Sequence, residues 1–153
     1  MKIKATLIAL MAIFTAPLAL ADQSQANFTS NVQSYCTVGQ VTPGIMHVSG
    51  TAVSTDTPAE MSVNSNEGGV YKVGVTNPGD FTTKPAGYTG TAAIDASYSV
   101  AGANTVGATA SGVEANLDNS GQNTLSVSVN GTLDSEAIAG NYAAVSIVSC
   151  IAQ

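Results

Sequence analysis

Apolar residues in this chain recur at every second position, and no window sustains a helical period. Ala92, Ile94, Ala96, Tyr98 and Val100 fall on one face of residues 91–100, Leu125, Val127 and Val129 alternate with serines, and Tyr71, Val73 and Val75 alternate with Lys72 and Gly74. A period of two belongs to strands with one buried face, because successive side chains point to opposite sides of a sheet. Further strands are expected over 27–38, 45–53, 59–63 and 113–117, and the last over 140–151, a nearly uncharged run rich in β-branched residues. Between them lie turn signals at Pro43-Gly44, residues 55–58, residues 64–69, Asn77-Pro78-Gly79-Asp80 and residues 118–121. Gly50 reads as a bulge, and Asn130-Gly131 as a tight hairpin turn whose central residues take positive φ. Residues 81–90 hold Pro85 and Gly87 and read as a connection, and residues 134–137 as one helical turn at most. Seven or eight short strands at this spacing predict an all-β Greek-key β-sandwich.

The N-terminus reads differently. Lys2 and Lys4 precede a short apolar run from Leu7 to Phe14, and Pro17 precedes the small-residue site Ala19-Leu20-Ala21. This is the pattern of a secretory signal peptide over 1–21, too short for a membrane span of about 20 apolar residues. Residues 22–35 follow as an N-terminal extension, and residues 36–153 as the sandwich domain. The expected location is the periplasm in transit and then the cell exterior, with no membrane association after cleavage.

Two of the four lysines leave with the signal and arginine is absent, so two positive side chains face ten acidic ones. Such a chain lacks the clustered Lys and Arg that bind polyphosphate, which excludes a nucleic-acid partner. Two cysteines in an exported chain read as a disulfide, Cys36–Cys150, with two free thiols as the alternative. They lack the Cys-x-x-Cys spacing of a redox site.

No catalytic constellation emerges, and a non-enzymatic role with no cofactor and no metal is expected. His47 is the only histidine, so no histidine pair exists to hold zinc, and it reads as a solvent-facing strand residue. No Gly-x-Ser-x-Gly elbow poses a nucleophile. Asp134 and Glu136 share a strand face if extended, but two carboxylates in a solvated loop are more often plain surface. Residues 118–123 lack the spaced acidic ligands of a calcium loop. Tyr71, Tyr88, Tyr98 and Tyr142 would make a carbohydrate platform only by converging, and Tyr71 and Tyr98 already sit on apolar faces.

Both ends carry a family resemblance. The alternation Phe28, Ser30, Val32, Ser34 running into Cys36-Thr37-Val38-Gly39 resembles the start of mature chaperone–usher pilins of the spore-coat-U-like, archaic class. The ending from Ala139-Gly140-Asn141-Tyr142 to Val148 is similar to the Gly-x-Tyr-led last strand of those subunits and of the alternative class. The resemblance implies an incomplete immunoglobulin-like sandwich, completed by donor-strand exchange, in a fimbrium with cell-adhesion function. Its partners would be copies of itself in a homo-polymer, with a periplasmic chaperone and an outer-membrane usher. Phe28, Ser30, Val32 and Ser34 would be the donor strand, and Tyr142, Val145, Ile147 and Val148 would help form the acceptor groove. The sequence departs from the archaic pattern in placing its second cysteine, Cys150, in the last strand. A monomeric secreted or periplasmic binding module or inhibitor, using a loop such as residues 81–90, is the alternative.

Overall fold

The longest strand organises the structure, a computed structural model that describes residues 24–153. Ten strands follow in order: β1 Cys36–Thr42, β2 Ile45–Ser49, β3 Ala52–Thr57, β4 Ala59–Ser65, β5 Tyr71–Val75, β6 Ala92–Gly102, β7 Val106–Ala110, β8 Ala115–Leu117, β9 Gly121–Leu133 and β10 Val148–Ala152. Along one edge, from Asn123 to Leu133, β9 pairs with the whole length of β6. Its other edge is shared, the first half by β4 and the second by β3. β1 then adds outside β4, β2 outside β3, and β7 outside β6, giving a seven-stranded antiparallel sheet. A second, three-stranded antiparallel sheet has the order β10-β5-β8, and the two sheets form a sandwich-like arrangement with no helix among the described residues.

The apolar alternation explains why these sheets face one another. On β6 the residues expected to point inward do so: Ile94, Ala96, Tyr98 and Val100 are buried. Ala96, Tyr98 and Val100 pack with Val63, Leu125 and Val127 of their own sheet against Val73, Val75, Ala115 and Leu117 of the smaller one. The smaller sheet covers only part of the larger. A second cluster, Val53, Phe81, Tyr88, Ile94 and Leu133, lies where irregular connections take its place. Residues 81–90, proposed as a binding loop in the alternative reading, turn Phe81 and Tyr88 inward. Lys84 Nζ donates to the Gly90 carbonyl at 2.8 Å, and Asp80 Oδ1 accepts from the amides of Phe81 and Ala92.

Several sequence expectations change. The strand expected over 27–38 begins only at Cys36, because the β1–β4 ladder ends at the pair Cys36↔Ser65 and no rung precedes it. Gly50 is no bulge but the first central residue of the two-residue turn joining β2 and β3. Its φ of 57° suits a type II′ hairpin, which tolerates a non-glycine such as Thr51 second. Residues 55–57, expected as a turn, stay in β3, where the Thr55 hydroxyl accepts from Val129 N at 2.6 Å and donates to Val129 O at 2.8 Å, extending the contact with β9 one residue past the last ladder pair, Ser54↔Asn130. Asn130-Gly131 is not a hairpin but mid-strand in β9, flanked by β3 and β6. A Cβ at Gly131 would overlap the Ala93 carbonyl oxygen, so glycine is there for close backbone approach. Gly131→Ala is expected to destabilise the fold by about 2 kcal/mol, measured by urea unfolding, since backbone on both sides blocks relaxation.

The last expected strand, 140–151, forms a ladder only at Val148–Ala152. The residues before it cross from the large sheet to the small one, held by the Ala143–Thr83 bridge and by the Thr76 amide donating to the Ile147 carbonyl. The pairing of Cys36 with Cys150 is as expected, with Cα atoms 6.2 Å apart, and it ties the first strand of one sheet to the last strand of the other. No helix among the described residues is long and apolar enough to cross a membrane. The expected signal peptide lies outside the described residues.

Candidate functional site

The candidate site is a cleft of about 580 Å³ between two strand edges. Its floor is the inner face of the large sheet, where Met46, Ala59, Met61, Val127 and Val129 supply apolar side chains. One side is the outer edge of β1 and β2 around Gln40 and residues 43–46, and the other is the C-terminal crossing from Tyr142 to Val148. Among the described residues β1 and β2 each pair on one side only, with β4 and β3, and β10 pairs only with β5. Ala144, Val145 and Ser146 make no backbone hydrogen bond to any described residue. The Ser146 hydroxyl is buried without a hydrogen-bond partner among the described residues. The cleft is thus an interruption in the sandwich with unpaired backbone along it, the situation that native proteins usually cover or pair.

Its surroundings are apolar. Val41, Ile45, Val145 and Ile147 are each more than half exposed, at 58%, 56%, 55% and 61%. Of the four residues expected to form an acceptor groove, Tyr142, Val145 and Val148 line the cleft, whereas Ile147 does not and binds the Thr76 hydroxyl through its amide. Tyr142 anchors one end of that wall. Its hydroxyl accepts from the Ile138 amide and donates to the Ile138 carbonyl, each at 3.0 Å, while its ring packs on Phe81 and Tyr88 at centroid distances of 4.8 and 5.6 Å. Met46 and Met61 escaped sequence reasoning. Met46 shares its strand face with Val48 and Met61 with Val63, a pattern visible in the sequence, and flexible thioethers fill irregular apolar surfaces.

Comparison with known proteins finds no matching family model, curated protein or solved structure.

The remaining candidates are dispersed. Phe28, Ser30, Val32 and Ser34 belong to no strand, and their side chains are exposed. His47 is exposed on β2, as expected. Asp134 and Glu136 do not work as a pair: the Asp134 carboxylate accepts from the hydroxyl and amide of Thr91 at 2.8 and 2.9 Å, and those bonds hold its pKa below the usual value. Among the described residues no group of three or more His, Cys, Asp or Glu is placed to hold a metal. In residues 118–123, Asn119 and Asn123 instead bond Asn104, tying the β6–β7 hairpin to the loop before β9. The tyrosines form no open platform, since Tyr98 is core and Tyr88 is buried beside Phe81.

Proposed function

We propose that the protein is a structural subunit of a bacterial surface fibre, assembled when the N-terminal segment of one copy fills the cleft of the next. The observation that carries this reading is the row of unpaired backbone groups at Ala144, Val145 and Ser146 beside an apolar floor. An added strand satisfies such groups by main-chain hydrogen bonds and gains specificity from alternate side chains entering the groove. The segment containing Phe28, Ser30 and Val32 has that alternation, and its side chains are exposed. On this reading the fold is an incomplete immunoglobulin-like sandwich. Support comes from Tyr142, whose hydroxyl bonds the backbone four residues upstream in the manner of the tyrosine corner of such domains.

The reading places the protein outside the cytoplasm, where a disulfide persists, and gives it a chaperone to cover the cleft before assembly. It involves no catalysis. Deleting residues 22–32 from the exported chain is expected to leave folded, disulfide-bonded protein that no longer polymerises, as read by sedimentation. Assembly of the truncated protein at the full-length level would refute the reading. Strict monomer behaviour of the full-length chain at all concentrations would favour a binding module or inhibitor instead.

A further inference from the structure

We propose that Asn66 is a directional clamp that holds the chain in line with β1 just before Cys36, keeping the N-terminal segment out of its own cleft and available to a neighbouring copy. The proposal rests on the strand-complementation reading above. The β1–β4 ladder has its last rung at Cys36↔Ser65. One residue beyond, Asn66 N donates to the Tyr35 carbonyl at 3.2 Å, and its side-chain Oδ1 accepts from Tyr35 N at 2.7 Å. Its Nδ2 donates to the Gln33 carbonyl at 2.9 Å. One asparagine thereby substitutes for a continuing strand and fixes residues 33–35 as an extension of β1.

The position of that clamp relative to the cleft gives it its role. At one end of β1, Cys36 is bonded to Cys150. At the other, Gln40 and residues 43–46 face the stretch from Tyr142 to Val148 across the cleft. β1 and the C-terminal wall therefore run in opposite directions, and the chain enters β1 at the bridged end, away from the cleft. To fill its own cleft, the N-terminal segment would have to reverse in a hairpin immediately before Cys36. That hairpin would need residues 33–35, which Asn66 holds extended.

A device of this kind has work to do because of tethering. A segment attached by a short flexible linker competes for a site at an effective concentration on the order of millimolar, far above that of free subunits. Without a restraint, self-filling would outcompete the neighbour. The clamp also divides the extension. Ser34, between the two clamped residues, stays with its own subunit, and the donated face ends at Val32. Residues 22–32 extended at about 3.3 Å per residue suffice to run along the wall from Tyr142 to Val148.

The test compares the exported full-length chain with Asn66→Ala, using sedimentation and uptake of a labelled synthetic peptide of residues 22–32. Wild type is expected to polymerise and to take up the peptide. Asn66→Ala is expected to stay monomeric, with peptide uptake reduced about tenfold or more by its own inserted segment. Asn66→Asp keeps the acceptor for Tyr35 N but loses the donor to Gln33 O. It is expected to fall between the two, and it carries the test if the alanine variant does not fold. Polymerisation and peptide uptake at the wild-type level in the substituted chains would overturn the clamp while leaving strand complementation standing. A wild-type chain that neither polymerises nor takes up peptide would overturn both, and that failure shows in the unsubstituted protein alone.

Discussion

Replacing Cys36 and Cys150 together by serine is expected to lower the unfolding free energy by about 4–5 kcal/mol, the chain-entropy value for a loop of this length. The two residues are 114 apart in sequence, so the bridge restrains nearly the whole domain in the unfolded state. Its place in the fold adds to the effect. β10 contributes only Val148–Ala152 to a three-stranded sheet and, among the described residues, pairs with β5 alone. The disulfide is its covalent attachment to the seven-stranded sheet through β1. Urea unfolding of the double variant, beside wild type with and without reductant, measures the loss. A change below about 1 kcal/mol would show that packing of β10 on β5 suffices without the bridge, contrary to the loop-entropy argument.

Tyr98→Ala is expected to cost about 3–5 kcal/mol, in the range of large aromatic truncations in a core. Tyr98 is 2% exposed and sits on β6 of the large sheet. Its hydroxyl reaches across to the small sheet, donating to the Val113 carbonyl at 2.7 Å and lying 3.3 Å from the Val73 carbonyl. Tyr98→Phe keeps the ring but leaves those acceptors without their donor, so a smaller loss of about 1–3 kcal/mol is expected. The pair of variants separates packing from hydrogen bonding. Burial first, and the negative charge of Glu114 second, raise the Tyr98 pKa above the ordinary tyrosine value. Ionisation therefore comes more easily to the unfolded chain. The stability linked to this residue is fully present below the ordinary tyrosine pKa and falls as pH rises through and above it. Tyr98→Phe should be free of that alkaline loss, and a difference between the two proteins that does not change between neutral and alkaline pH would contradict the assignment.

The strand faces were legible from the chain because a half-buried strand writes its burial into every second residue. Ile94, Ala96, Tyr98 and Val100 point inward as their alternation requires, and Leu125 and Val127 do the same. Local turn chemistry was less dependable. Asn130-Gly131 has the residues of a hairpin, but β3 on one side and β6 on the other hold it extended, so tertiary pairing overrode a local preference. Gly50 was noticed for its backbone freedom and given the wrong use. The C-terminal run has the β-branched composition of a strand throughout. Only from Val148 onward does it join a ladder, because β5 ends at Val75.

The candidate site shows the same division. Tyr142, Val145 and Val148 were visible as members of one apolar segment, whereas Met46 and Met61 opposite them were not, since they come from strands far apart in sequence. Asn66 read as one more polar residue in a turn, and only the arrival of residues 33–35 alongside it gives its side chain a task. By itself the sequence determined an all-β fold and the inward faces of β6 and β9, and it left one possible bridge between its two cysteines, because burial period and thiol count are properties of the chain. The tertiary structure alone decided where the ladders stop, and with them the cleft, because a strand's edge is paired or left open only by what other segments lie beside it.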